Sequence, residues 1–564
     1  MENSLYTMEK LLSFLSQPTS YPHQPVSVKV KQTHASVVVI ASPYVFKAKK
    51  SVNLGFLDFT SPSKRKQDLE REIRLNSRLC AHLYTGIVPI RLINNQLSFG
   101  QKEDSQDVDS QAEEIVEYVL QMQELADGYF LNQLLKENKV SVATLEPVLD
   151  ILEQFYQHQP ADSAITQYGD LVKIKEAVYA NLDSLENPDS VYSLDSIPNP
   201  NDEKKSVEKK STLVLQLLRW YNETFFEQHQ QLFKKRVEQG WIKDCHGDLH
   251  LEHIHIYHKK ISIYDCIEFN DSFRYIDITA DIGFLAMDLD FHNRPDLSKY
   301  VTAQMAKRLN DPDMTLLIDF YKCYRACVRA KVEHIRSLES EIPTEQQQKS
   351  RQRVAKYLSL ALQYLTVETT PSVIIICGRI GTGKSTIARQ VALLLGYEYI
   401  NSDVVRKQTV GLPLLQRPHT NDGEKLYSQS STENVYQALQ QNTLLHIANQ
   451  TGIVVDATFG QQKHRQEFQQ ALKKQNIPYI FIEVQASDKI IKERLTQREK
   501  QTDVISDARL SDFDLISSNY QPPIELMYPN LITLSTEDTP EHTLYSLFSS
   551  LSCRKYSFSQ VSFL

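Results

Sequence analysis

A chain of 564 residues is too long for a single hydrophobic core, since single cores stop growing at about 250–300 residues. With 41% hydrophobic residues, 23% charged residues and a net charge of −8, it reads as globular, without a global basic field for nucleic acid or an anionic membrane. Its seven scattered cysteines contain no CxxC pair and read as reduced thiols, the amino terminus lacks the long apolar run of a signal peptide, and no run of about 18 apolar residues offers a membrane span; the expectation is a soluble cytoplasmic protein.

In chain order, Val26–Val30, Ser36–Ile40 and Tyr44–Lys49 read as short strands, and a helix with one charged side follows from about Ser63 to Leu83. Further strands are expected at Ile87–Ile93 and Glu114–Met122, separated by an acidic loop that starts near Glu103. Helical patterning then runs from Leu131 to Gln239, interrupted from about Ser184 to Ser211 by a polar stretch that reads as a loop or disordered insertion. The local basic runs (Lys47, Lys49, Lys50; Lys204, Lys205, Lys209, Lys210) read as solvated faces and loops. Strands return at Trp241–Cys245, His253–Tyr257 and Ile261–Asp265, helices fill Ile276 to about Leu365, and residues 366–372 read as a linker.

Two acids stand out before that linker. Asp248, in the loop His246-Gly247-Asp248, can accept a hydroxyl proton, and Asp265 ends a later strand where it can hold magnesium; together they form the pattern of a phosphotransfer site. The histidines His246, His250, His253, His255 and His258 open a zinc reading, but no tetrahedral set can be picked out, and His246 is better read as a brace for its loop.

After the linker, strand and helix alternate as in a parallel α/β sheet. Val373–Cys377 is continuously apolar, as for a strand buried on both faces, and runs into Gly378-Arg379-Ile380-Gly381-Thr382-Gly383-Lys384-Ser385-Thr386. This satisfies the phosphate-loop pattern: glycines let backbone N–H groups converge on phosphate, Lys384 reaches the β- and γ-phosphates, and the Ser385 hydroxyl can ligate magnesium. Two further strands end in Asp403 and Asp456, where open α/β sheets bind ligands. Asp456 is placed to hold magnesium or its water, Asp403 to take an acceptor proton and Arg406 to hold the acceptor; both aspartates could instead cap the helices that follow. Arg494 and Arg498 share a helix face, either to close over the transferring phosphate or simply as an exposed basic surface.

The block CGRIGTGKST…NSDVVRK…VVDATF…ERLTQR, within about residues 371–520, resembles the P-loop kinases related to polynucleotide kinase, zeta toxins and chloramphenicol phosphotransferase. That resemblance implies phosphorylation of a hydroxyl with Asp403 as base. HGDLH resembles the catalytic loop of aminoglycoside and choline phosphotransferases, and YDCIEF the metal-binding motif that follows it. By that likeness Lys47 contacts phosphate, Glu72 is its helix partner (Glu70 the alternative), and Glu117–Met122 holds adenine. Taken together, KAKKSVNLGFLDFTS, HGDLH, DCIEFNDSFRYID and the P-loop resemble bacterial two-domain proteins described as aminoglycoside phosphotransferase-like plus ATP-binding. His253 departs from that pattern: it stands where the family loop carries an Asn metal ligand, so Glu252 or water substitutes, a different metal is used, or the domain binds nucleotide weakly.

The expected fold is therefore mixed α/β and α+β. A bilobal protein-kinase-like domain spans 1–365 (small lobe about 1–122, large lobe about 123–365), and a P-loop domain with a parallel sheet spans 373–564. The expected function is an ATP-dependent phosphotransferase using Mg2+, with a small-molecule acceptor and with no membrane or nucleic-acid partner. The alternative is a regulatory ATPase in which a degenerate kinase-like domain senses a ligand and controls the P-loop domain.

Overall fold

A computed structural model describes residues 7–32, 35–53, 58–94, 96–100, 114–186, 204–339, 342–367, 371–416, 426–500, 505–507 and 509–556, with backbone alone for 204–211. The acidic loop after Glu103, part of the Ser184–Ser211 insertion, residues 54–57 and 368–370, and the side chains of the basic run from Lys204 lie outside the described residues. Among the described residues no helix is long and apolar enough to cross a membrane.

The chain folds into two compact units that do not follow it in simple order. The first takes residues 1–170, 232–292 and 297–316; the second takes 171–231, 293–296 and 317–564.

The first unit opens on a six-stranded antiparallel sheet: β1 (Lys29–Gln32), β2 (Ser36–Ala41), β3 (Tyr44–Lys49), β4 (Tyr84–Ile93), β5 (Gln96–Phe99) and β6 (Glu114–Gln123), in the order β1-β2-β3-β6-β4-β5. The alternation of β2 and β3 buries Val37, Val39, Phe46 and Ala48. Helix α1 (Pro62–Cys80) starts at the Ser61 cap with Pro62 at its first position, and packs on β4 and β6. It buries Leu69, Leu75 and Leu79 together with Arg65 and Glu72. Arg65 forms a two-pronged pair with Glu117, Nε to Oε1 at 3.0 Å and Nη2 to Oε2 at 2.6 Å. Farther on, β7 (Ile242–Asp244) pairs with β10 (Tyr275–Asp277), and β8 (Ile254–Tyr257) with β9 (Lys260–Ile263). Helix α2 (Ile278–Phe291) is buried along its whole length, including Asp281 and Asp288. The strand expected at Val26–Val30 is displaced to Lys29–Gln32, and β5 follows β4 as a hairpin that the sequence reading did not separate.

The second unit is built on a parallel sheet of β11 (Val373–Cys377), β12 (Glu398–Asn401), β13 (Ile453–Asp456), β14 (Tyr479–Gln485) and β15 (Leu531–Ser535), in the order β12-β13-β11-β14-β15. All five residues of the central strand β11 are buried. Helices α3 (Lys384–Leu395), α4 (Ser402–Thr409), α5 (Gln429–Ala448), α6 (Gln462–Lys474) and α7 (Asp488–Glu499) fill the crossovers, and α8 (Pro540–Tyr556) follows the last strand. This unit begins upstream of Val373, because the helices Lys204–Gln228 and Thr344–Thr366 pack against α8. Lys555 Nζ donates to the carbonyls of Tyr364 (2.7 Å) and Val367 (3.0 Å), and Tyr556 Oη to that of Tyr364 (2.5 Å). The end of α8 thus satisfies carbonyls left over at the end of the helix leading to β11.

Candidate active site

Glycine is required where β11 turns into the phosphate loop. Gly378 has φ +137°, and a Cβ there would lie 2.3 Å from the carbonyl oxygen of Val484. Gly383 caps α3 with a left-handed backbone, so Lys384, Ser385 and Thr386 form the helix's first turn with their N–H groups toward the loop. Within the loop, Lys384 Nζ donates to the Arg379 carbonyl (2.6 Å) and Thr382 Oγ1 to the same carbonyl (2.9 Å). Arg379 itself reaches outward to Asp488 (2.7 Å) and the Ala486 carbonyl (3.0 Å), while Ile380 packs against Ile491 and Leu495 of α7. Burial lowers the Lys384 pKa, opposed by the charges of Asp456 and Asp403.

Asp456 ends β13 almost completely buried, and both its hydrogen bonds fall on Oδ2: from Tyr399 Oη (2.8 Å) and Asn401 Nδ2 (2.6 Å). Asn401 also caps α4 through the N–H groups of Asp403 and Val404, so Asn401 rather than Asp403 holds the helix cap. Asp403 is left in the first turn of α4. Burial raises its pKa, partly offset by a hydrogen bond from Ser506 and by the charges of Arg406 and Lys384. Arg498 lies within electrostatic reach of Asp403 and Lys384, and burial lowers its own pKa.

The two remaining arginines are engaged elsewhere. Arg406 donates to the Leu426 carbonyl (3.0 Å) and Thr432 Oγ1 (3.4 Å) and lies over the Tyr427 ring. Arg494 binds the Thr382 carbonyl (3.1 Å), Thr536 Oγ1 (3.0 Å) and the Thr536 carbonyl (2.5 Å), tying the phosphate loop to the segment after β15. Sequence reading missed Thr536, Asn401, Tyr399 and Ser506. Asn401 was legible as an Asx cap before α4; Thr536 lies 42 residues from Arg494 and carried no motif.

In the first unit, Lys47 Nζ sits 2.8 Å from Glu72 and 3.6 Å from Asp265. The alternative partner Glu70 is instead exposed, 3.9 Å from Lys66. Lys49, two residues on and therefore on the same strand face, is nearly fully buried against Asp68 (2.8 Å), Glu72 (2.9 Å) and Glu268 (2.7 Å). Glu72 is shared by both lysines, a consequence of the K-A-K alternation that went unread. Helix α2 holds the 246–251 loop: Asp281 accepts from the N–H of His246 and Gly247 (2.9 Å each) and from Tyr156 Oη (2.8 Å), and Asp288 from the Leu251 N–H (2.9 Å). His246 is buried and places Nε2 on the Tyr264 carbonyl (2.9 Å), as a brace would. Asp265 has φ +62°, a left-handed conformation that Asp tolerates better than most residues. His253 stands between the two acids, Nδ1 3.0 Å from the Asp248 carbonyl and 3.6 Å from its carboxylate, Nε2 3.4 Å from Asp265. His255 is turned away, to the Ala126 carbonyl.

A central parallel strand feeding a glycine loop and a helix N-terminus, with Asp456 ending β13 and Asp403 in the first turn of α4 just past β12 rather than at a strand end, defines a P-loop nucleotide-binding domain. Residues 373–523 match the family model described as AAA domain. Over 439 residues the chain is 30% identical to Uncharacterized protein Rv2004c of Mycobacterium tuberculosis, covering 78% of this chain and 80% of that one; Uncharacterized protein Mb2027c of Mycobacterium bovis matches equally. The chain belongs to the family of these mycobacterial proteins. Among solved structures, a gluconokinase from Sinorhizobium meliloti is 16% identical with a TM-score of 0.25, covering 32% of this chain and 93% of its own. The APS kinase CysC of Mycobacterium tuberculosis, in complex with AMPPNP and APS, has the same identity and TM-score, covering 32% of this chain and 98% of its own. Scores this low carry no weight for fold or activity.

Proposed function

We propose that the protein is an ATP-dependent phosphotransferase whose P-loop domain moves the γ-phosphate to a hydroxyl of a small molecule. The observation that supports this most is the gathering of Lys384, Asp403, Asp456 and Arg498 around the carboxyl ends of β11, β12 and β13. A pure nucleotide switch needs the loop and Asp456; it has no need of a second, half-buried acid beside Lys384, one whose pKa desolvation raises above the ordinary 3.8. In this reading Asp403 accepts the proton of the acceptor hydroxyl while Lys384 and Arg498 stabilise the phosphoryl charge. Ser385 and Asp456 supply only oxygen donors, a set that suits magnesium, whose chemistry there is to neutralise phosphate charge. Arg494 serves the nucleotide through its tie to Thr536 and Thr382 rather than by touching the transferred group. Arg406, turned toward Leu426 and Thr432, shapes the acceptor side indirectly.

The first unit, rather than the whole of residues 1–365, would then form a kinase-like domain with a second nucleotide site, using Lys47 on Glu72, Asp248 in its loop and Asp265. A second reading, in which this domain senses a ligand and controls the P-loop ATPase, is favoured by His253 lying between Asp248 and Asp265. The test of the catalytic assignment is Asp403→Asn, an isosteric change. Transfer to a hydroxyl-bearing metabolite pool is expected to fall about 10²-fold or more, with nucleotide affinity within about twofold. Undiminished transfer would remove Asp403 from the mechanism.

A further inference from the structure

Magnesium is the metal that a kinase-like site beside Asp248 and Asp265 calls for, and the donors there do not match it. Magnesium demands oxygen ligands in near-octahedral array, whereas imidazole nitrogen suits zinc, cobalt and related metals. Asp248, His250 and His253 each offer one ligand atom, all within 4.8 Å of one another. The Asp248 Oδ2 to His250 Nε2 distance is 3.4 Å, and Asp248 Oδ2 to His253 Nδ1 is 3.6 Å. Two ligands bound tetrahedrally to one ion at about 2.0–2.2 Å lie about 3.4 Å apart, so the two Asp248–histidine distances already match edges of such a site.

The His253 ring lies between two acids. Both of its nitrogens face oxygen acceptors: Nδ1 the carbonyl and carboxylate of Asp248, Nε2 the carboxylate of Asp265. A neutral imidazole has one N–H and satisfies one side only. With the N–H on Nδ1 the ring donates to the Asp248 carbonyl at 3.0 Å; with the N–H on Nε2 toward Asp265 it is oriented as in carboxylate–histidine–metal arrangements, and the Nδ1 lone pair can ligate a cation. His250 Nδ1 now takes the Glu252 N–H at 3.3 Å; binding through Nε2 moves the ring proton to Nδ1 and gives up this long contact. The scaffold is rigid, since Asp281 and Asp288 hold the loop at His246, Gly247 and Leu251.

We propose that Asp248, His250 and His253 form a three-ligand site for a divalent transition metal of the zinc and cobalt class, with Asp265 orienting the His253 ring. Three protein ligands leave a position open to water or a phosphate oxygen. The proposal concerns metal binding alone and stands whether or not either domain transfers phosphate.

The test uses the full chain without a histidine tag, stripped by chelator and free of nucleotide, titrated with Co2+. Visible d–d absorption saturating near one equivalent per chain is expected, bleached by Zn2+ and unaffected by excess Mg2+. His253→Asn, which replaces the nitrogen donor by an amide, should lose the bands and weaken Zn2+ binding about 10–100-fold. Asp248→Asn, at a more exposed position, should do the same with an unchanged far-ultraviolet circular dichroism spectrum. Absent bands in the wild type, bands that persist in both variants, or displacement by Mg2+ as readily as by Zn2+ would each overturn the site.

Discussion

Asp403 sits at a position where burial works against its own charge. Its pKa is raised from the ordinary 3.8, first by desolvation and then by the charge of Asp456, with Ser506, Arg406 and Lys384 pulling the other way. A carboxyl whose folded pKa exceeds its unfolded one contributes stability that is fully present below pH 3.8 and lost as pH rises through the folded value. At neutral pH the ionised group is therefore a cost to the fold. Asp403→Asn should melt higher than the wild type at pH 7, by about 2 °C or more, with the gap closing as the pH is lowered toward 4. Equal melting temperatures at pH 7, read by calorimetry, would mean that Ser506 and the nearby cations already offset the burial. The same substitution that removes transfer is thus expected to stabilise, which separates a lost base from a damaged fold. Asp456 is differently placed: Tyr399 and Asn401 both donate to it, so removing its carboxylate strands two donors.

At the scale of elements, the phosphate loop was legible because its chemistry is contiguous: strand, glycine loop and helix start follow one another, and Val373–Cys377 is found as expected. What escaped is what folding brings from afar. Thr536 meets the loop only because β14 and β15 pair in parallel and deliver the segment after β15 beside it. Asp281 meets the 246–251 loop only because α2 is buried lengthwise beneath it. Lys49 was within reach of a two-residue period, yet a lysine with nearly no exposure runs against the usual solvent preference of that side chain. Arg494 joins α7, the phosphate loop and the segment after β15 through three charge-assisted hydrogen bonds. Arg494→Ala frees that segment, and loss of one such bond's worth, about 1.5–3 kcal/mol, corresponds to about tenfold or more in nucleotide affinity. Titration with a fluorescent nucleotide measures this directly. A variant that binds normally would show that Thr536 alone, which also donates to the Thr382 carbonyl at 2.6 Å, suffices to hold the loop.

For the whole molecule the open matter is which unit supplies turnover. The P-loop unit gathers Lys384, Asp403 and Asp456 around one sheet end, with Ser385 in the first turn of α3. The first unit has a lysine–glutamate pair and two acids, but an imidazole lies between those acids. Lys384→Ala should therefore lower magnesium-dependent ATP turnover of the full chain about 10²-fold, the loss typical of removing one transition-state charge partner. Asp248→Ala should leave basal turnover within about twofold, since Asp248 takes no part in the P-loop chemistry. Added metabolites separate the remaining cases. Stimulation that disappears in Asp248→Ala and persists in Lys384→Ala marks a second phosphotransferase; stimulation lost in both marks a sensor acting through the P-loop. If Asp248→Ala alters neither basal nor stimulated turnover, the first unit contributes no catalysis or control under these conditions, and a metal held by Asp248, His250 and His253 would serve structure alone.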